Sequence, residues 1–388
     1  MNNNYYYLYS IYITTMSSFY CLHFFFIVAS LIISTSYCEI MFKGITFVGD
    51  KYCPEVSFDS PLAFESLANL ARTGANYVAF VVTEYQDYKN STTIYPIYSD
   101  YPTNKYYTYK TETIPAITAI IKEAHRLGLK VMLKPHIDLS KEPRYEVVWR
   151  GNIGGFTQEE HWAQWFESYE AMIIKYAKLA EELKVEMFSV SCELISVNSK
   201  ETYWRNIIAN IRKVYSGLLT SSANHSGEEV SKKWWDALDF IGVDAYYLSI
   251  KPSAYSSLFN QLETRLQTIA NTLESLSKKY QKDVIITEIG ACSGKCVINN
   301  RNTVPEVIDH FMQGYYYDKF MSVFSKKPFI KGFFWWAWNS DPNTGGYSDH
   351  CITPQMKPAE FVLYQHYGGQ TRNIRYTPKG EPKCLCTI

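Results

Sequence analysis

Along this chain the spacing of hydrophobic and polar positions switches repeatedly between two periods. Short, nearly unbroken apolar runs read as buried strands over 43–49, 77–83, 130–136, 187–194, 218–223, 240–247, 284–290 and 329–338. Between them lie stretches with helical spacing. Leu62, Phe64, Leu67, Leu70 and Ala71 mark a helix over 61–74, capped by Asp59 or Ser60, with Pro61 in its first position and Gly74 as the stop. Ile117, Ile120, Ile121, Ala124 and Leu127 mark another over 114–128, and further helices are expected over 158–183, 200–215, 257–280 and 304–324. The segment 84–113, rich in Tyr, Thr, Asn and Pro, has no such period and reads as a long loop, a length usually reserved for function. Strands that alternate with helices or helix-sized inserts predict a parallel sheet covered on its faces. Eight such units predict closure into an α/β fold of one domain, a (β/α)8 TIM barrel. No two-glycine fingerprint follows the first strand, which argues against a doubly wound dinucleotide-binding sheet.

In a barrel of this kind the C-terminal ends of all strands face one site. Two of the apolar runs end in a carboxylate, Glu193 on the fourth strand and Glu288 on the seventh. Burying an ionised carboxylate costs several kcal/mol unless it is paired and hydrogen-bonded, so both acids belong at a polar mouth rather than in the core. A pair of carboxyl groups on opposite sides of a glycosidic bond can protonate the leaving oxygen and attack the anomeric carbon or activate water. Each alone is equally well read as an ordinary strand-end acid paired with Lys or Arg. Other groups on the same strand ends are candidate sugar-binding residues: Lys134 and His136 on the third strand, Asp244 and Tyr246 on the sixth, and Trp336 and Trp338 on one face of the eighth, with Trp335 on the other. Glu84 reads as a third pocket carboxylate or a solvated loop residue. Trp149, Trp162, Trp165 and Tyr85 read as outer subsites or as packing. No repeated His or acid spacing makes a metal site, and no nucleophile elbow or phosphate loop is present.

Charge narrows the partner. The 38 basic and 38 acidic side chains balance to zero with no long run of either sign, which removes the electrostatic footprint of nucleic-acid binding. Aromatic residues make up 16% of the chain, and their flat apolar faces with polar edges suit sugars.

Residues 1–38 read as a signal peptide, because the apolar run 21–33 has the length of a secretory h-region and is followed by small and polar residues. That run is short for a bilayer span of ~20 residues, so no stable membrane insertion is expected once it is removed. The barrel domain is expected over 39–369 and a tail over 370–388. Beyond the leader stand Cys53, Cys192, Cys292, Cys296, Cys351, Cys384 and Cys386. In an oxidising compartment an odd set leaves one thiol free, expected at Cys192, while Cys292 and Cys296 are close enough to staple their loop. Asn90-Ser91-Thr92 and Asn224-His225-Ser226 fit the glycosylation acceptor pattern, and only the first lies in an obviously exposed loop.

The order of the eight units, with Ser191-Cys192-Glu193-Leu194 on the fourth, Thr287-Glu288-Ile289-Gly290 on the seventh and Phe334-Trp335-Trp336-Ala337-Trp338 on the eighth, resembles glycoside hydrolase family 113 over about 41–369. The resemblance implies a retaining endo-β-1,4-mannanase-like enzyme working by double displacement on a β-linked polysaccharide or oligosaccharide, without a cofactor. It implies Glu193 as acid/base and Glu288 as nucleophile. Many members of the wider clan carry Asn before the acid/base, whereas this chain has Cys192, a poor donor to a sugar 2-hydroxyl. Two other readings stay open: an idle sugar-binding barrel, and a retaining glycosidase or transglycosylase of the same clan acting on another β-linked polysaccharide. Under the first implied reading Glu288 must be ionised, aided by a donor such as Tyr246. Glu193 must be protonated, and like-charge repulsion from Glu288 favours that.

Overall fold

The computed structural model describes residues 40–49, 53, 56–98, 109–141, 148–247, 255–293 and 309–371. Within them eight parallel strands pair in chain order and close into a barrel. They are β1 (Phe42–Val48), β2 (Tyr77–Gln86), β3 (Lys130–Leu139), β4 (Met187–Cys192), β5 (Leu218–Asn224), β6 (Ile241–Asp244), β7 (Val284–Ile289) and β8 (Ile330–Asn339), with β8 returning to β1. The helices are α1 (Pro61–Arg72), α2 (Ile114–Arg126), α3 (Glu159–Glu182), α4 (Glu201–Val214), α5 (Glu228–Ser231), α6 (Tyr255–Tyr280), α7 (His310–Phe324) and α8 (Pro358–Tyr367). The expected TIM barrel is therefore the fold of this chain. The expected leader, Cys296, Cys384, Cys386 and the tail from 372 onward lie outside the described residues. Among the described residues no helix is long and apolar enough to cross a membrane.

Local chemistry accounts for where the elements begin and stop. Ser60 caps α1 by accepting the Ala63 N–H at 3.1 Å, with Pro61 next to it, and Thr113 caps α2 by accepting the Ala116 N–H at 3.2 Å. Gly74 ends the first unit at φ 87°, a left-handed conformation in which an added Cβ would also lie 2.6 Å from the Gly369 nitrogen. Neither α5, a single turn, nor α8 was expected. The first is too short to show a period, and the second buries Glu360 alongside Ala359, Leu363, Tyr364 and Tyr367, which blurs its apolar stripe.

Two of the apolar clusters lie on opposite sides of the strands. Outside the strands, side chains such as Val78, Phe80, Val131, Leu133, Ile286 and Trp335 pack against the helices. Inside, Phe42, Tyr77, Ala79, Met132, Met187, Ile285 and Phe334 plug the lower end, with Phe42 edge-to-face on Tyr77 at 5.1 Å. Above that plug the interior turns polar: Lys134, Ser189, Thr220, Asp244 and Thr287 are all fully buried.

Near the polar end the register slips. One extra residue is accommodated on β4 between Ser189 and Cys192, on β7 between Ile286 and Glu288, and on β8 between Trp335 and Trp338. Such bulges re-aim the side chains that follow them. On β8 the slip breaks the alternation that would put Trp336 and Trp338 on one face. Trp336 joins Val48, Val81, Ala337 and Ile352 at the upper end, while Trp338 turns outward into the helix layer and donates its indole N–H to Ser66 on α1 at 3.0 Å. Trp335 also faces outward, as expected, and stacks on Tyr317 of α7 at 3.8 Å.

Because Phe334 is fully buried in the lower plug, Phe334→Ala is expected to cost about 3–5 kcal/mol through lost burial and a residual cavity. Denaturant unfolding monitored by circular dichroism measures it.

Candidate active site

Glu193 directly follows β4, and its backbone sits at φ 52°. A residue other than glycine in this region costs of order 1–3 kcal/mol and persists only where its surroundings hold it. Here the hold is specific: the Glu193 N–H donates to the Ser222 carbonyl at 2.8 Å, and the Asn224 amide at the end of β5 donates to Glu193 Oε1 at 2.7 Å. Arg150 Nη1 lies 3.5 Å from the other oxygen, Oε2. Arg150 is itself clamped by two hydrogen bonds to Asp138, at 3.0 and 3.1 Å, and reaches the Cys192 sulfur at 3.6 Å.

Glu288 occupies the corresponding place on β7. Lys134 Nζ donates to its Oε1, and Tyr246 donates its hydroxyl to Oε2 at 3.1 Å. The same ammonium lies 3.2 Å from Asp244 Oδ1, which also accepts the Thr287 hydroxyl at 2.7 Å. His136 brings Nε2 to 3.8 Å from Glu288 Oε1 and stacks on Trp336, with ring centroids 6.2 Å apart and planes 9° apart. The bulge on β7 makes this arrangement possible, since consecutive residues Thr287 and Glu288 both reach the interior network.

One atom ties the halves together. Cys192 Sγ lies within 4.8 Å of an oxygen of Glu193 and of an oxygen of Glu288, so the two acids from distant parts of the chain gather around one side chain. Cys192 is a buried free thiol, and its contact with Asp244 Oδ2 at 3.6 Å turns it inward. Burial pushes that thiol well above its ordinary range, so it is held protonated.

The charges in this pocket do not cancel one for one. Burial raises the Glu193 carboxyl above the usual range and the charge of Glu288 adds to the rise, against Arg150 and the Asn224 hydrogen bond. Burial likewise raises Glu288, reinforced by Asp244 and opposed by Lys134. Burial pushes Asp244 up to about 6 in spite of its ion pair with Lys134. Burial alone would lower Lys134, yet Asp244 and Glu288 outweigh it and keep its ammonium above the ordinary lysine value. One ammonium shared by two buried carboxylates, with a third nearby, favours retention of a proton among the acids. The donor sets decide where it goes. Glu288 takes a charged and a hydroxyl donor, which stabilises a carboxylate, whereas Glu193 has one amide and a guanidinium nitrogen at 3.5 Å.

Metal-type ligands do meet here: His136, Cys192 and Glu288, and likewise Cys192, Glu193 and Asp244, lie within 4.8 Å of one another. The Lys134 ammonium already occupies the electrostatic position that a cation would take between Asp244 and Glu288.

Several residues lie elsewhere than the sequence suggests. Glu84 is neither a pocket acid nor solvated: it is buried against α3, bonded to Lys175 and accepting the Tyr176 hydroxyl at 2.8 Å. Trp165, fully buried and donating to Gln86 at 2.8 Å, and Trp162, edge-to-face on Phe156, take the packing alternative that the sequence left open. Asn224, read as a glycosylation acceptor, is only 5% exposed, with its amide committed to Glu193; Asn90 is exposed. Asn224 and Arg150 are the two site residues that the chain did not announce. The first hides in a run of small residues, Thr220-Ser221-Ser222-Ala223, and the second in a loop without a period.

The model of Glycoside Hydrolase Family 113 matches residues 50–350. A solved GH113 β-1,4-mannanase in a complex is similar to this chain at 28% identity and TM-score 0.69, over 85% of this chain and 99% of that one. The GH113 β-mannanase AaManA from Alicyclobacillus acidocaldarius, in complex with ManMIm, is similar at 26% identity and TM-score 0.68, over 86% and 98%. A β-glucuronidase from Ruminococcus gnavus, 13% identical with TM-score 0.52 over 84% of this chain and 49% of that one, shares the fold. Among curated proteins none matches. With the family model spanning most of the chain and its barrel complete, this protein belongs to Glycoside Hydrolase Family 113 and is a glycoside hydrolase.

Proposed function

We propose that the protein is a retaining endo-β-1,4-mannanase in which Glu288 attacks the anomeric carbon and Glu193 serves as acid and then base. The observation that carries the assignment is the unequal support of two neighbouring carboxyls. Lys134 and Tyr246 both donate to Glu288, while Glu193 takes one amide hydrogen bond and stands 3.5 Å from Arg150. An ionised Glu288 is the nucleophile this reaction needs, and a protonated Glu193 is its acid. Attack forms a glycosyl ester on Glu288 as the proton of Glu193 passes to the departing oxygen. Esterification removes the charge that held the Glu193 proton, so Glu193 becomes more acidic and can accept a proton from water in the second step. Trp336, stacked on His136 at the upper end, supplies an apolar face for the reacting sugar, and the mannanases similar to this chain support β-linked mannan as substrate. Secretion belongs to the same reading and is supported by the apolar run 21–33 and the small and polar residues after it.

Glu288→Ala is expected to lower hydrolysis by about 10⁴-fold or more while leaving the circular dichroism spectrum intact. Near-normal product release by that variant rejects the nucleophile assignment. Glu193→Ala is expected to recover part of its rate when azide is added with a substrate bearing an activated leaving group, giving a glycosyl azide of retained configuration; no recovery rejects the acid/base role. Reducing-sugar release from mannan, glucomannan, xylan and cellulose, measured beside binding to each, identifies the polymer, and tight binding without product points to an idle barrel.

Lys134 generates a pH prediction. Its charge favours ionised Glu288, so Lys134→Met raises the Glu288 pKa. The ascending limb of kcat/KM against pH, which requires Glu288 ionised, then moves upward by about 1–3 pH units.

A further inference from the structure

Behind Asn224 lies a buried ion pair that the proposed reaction does not use. Glu228 Oε1 accepts the Lys232 ammonium at 3.0 Å, and both side chains are fully buried. Lys232 Nζ sits 3.7 Å from the ring centroid of Trp234 and 5.3 Å from that of Trp235. A buried pair of this kind contributes little net stability, because desolvation offsets its Coulomb attraction. Its other contact is more informative. Glu228 Oε2 accepts the backbone N–H of Asn224 at 2.8 Å, where β5 leaves the barrel. The connection from β5 to β6 has only the four-residue α5 and a three-residue 3-10 turn, so no long helix braces this strand end. The ion pair and two buried tryptophans stand in that place.

The Asn224 side chain is held at both ends. Its Oδ1 accepts the Ser226 N–H at 2.8 Å, which leaves Nδ2 directed at Glu193 Oε1 at 2.7 Å. An oxygen that accepts from an amide cannot carry the carboxyl proton in the same direction. Oε2 instead lies 3.5 Å from Arg150.

We propose that Glu228 and Lys232 are positioning residues for Glu193, acting through Asn224 to keep the proton-carrying oxygen turned toward the glycosidic bond. The inference rests on the acid/base reading of Glu193. In the first step the proton of Glu193 passes to the departing oxygen as its bond to the anomeric carbon breaks, and in the second Glu193 receives a proton from the attacking water as the ester bond to Glu288 breaks. A misplaced Glu193 slows the first step only when the leaving group needs a proton.

The test compares an unactivated β-1,4-mannooligosaccharide with 2,4-dinitrophenyl β-mannoside. Glu228→Gln is expected to lower kcat/KM about tenfold for the first and less than about threefold for the second, a modest share of what acid catalysis supplies. Should the single variant fold poorly, Glu228→Gln combined with Lys232→Met replaces the pair by neutral groups of similar shape and is expected to show the same split. In an Asn224→Ala background, itself slowed on the oligosaccharide, Glu228→Gln is expected to cost nothing further, since two residues acting through one another are not additive. Equal losses on both substrates, or losses that multiply in the double variant, overturn the inference. Failure of azide to rescue Glu193→Ala overturns the acid/base reading instead, so the two failures are distinguishable.

Discussion

The site depends on a single buried ammonium. Lys134 rises from the third strand into the barrel's polar layer, touches Asp244 and Glu288, and has no exposed surface of its own. Without it two carboxylates on neighbouring strands would face each other in a medium where removing one partner of a buried pair typically costs 3–5 kcal/mol. With it, the acids can be packed closely enough to share a proton, and their protonation becomes a property of the group rather than of any one residue. The apolar plug beneath, from Phe42 to Phe334, makes this electrostatics strong by keeping water out from below.

Geometry at the rim depends on irregularity. An ideal parallel barrel alternates its side chains strictly, and a strand could then offer the pocket only every second residue. The extra residues on β4 and β7 relax that rule where the two glutamates emerge. Glu193 takes the further step of a left-handed backbone, held by Ser222 and Asn224 of the adjacent strand. At this rim the local strain falls on a residue whose direction matters.

The limits of sequence reading follow from the same features. Periodicity announces the barrel because each strand buries one face in the helix layer, and a carboxylate after an apolar run stands out for its cost. Glu193, Glu288, Lys134 and Asp244 are accordingly visible before any coordinates, and the structure brings them together. A bulge leaves no trace in composition, so counting by twos put Trp338 beside Trp336 when it faces α1. Asn224 carries an acceptor pattern for glycosylation that its 5% exposure denies. Arg150 gains its meaning only from Asp138 and Glu193, neither of which is near it on a helix or strand.

Trp338 has a consequence for how this enzyme could be tuned. Its indole is fastened to Ser66, whose hydroxyl also donates to the Asn339 carbonyl at 2.7 Å, while Gln355 accepts the Asn339 N–H at 2.7 Å. The strand segment that carries the Trp336 ring is thereby anchored from the helix side, two residues downstream. Evolution or engineering can shift the ring proposed to meet the sugar by altering the outer ring of the molecule, leaving the upper end of the barrel itself unchanged.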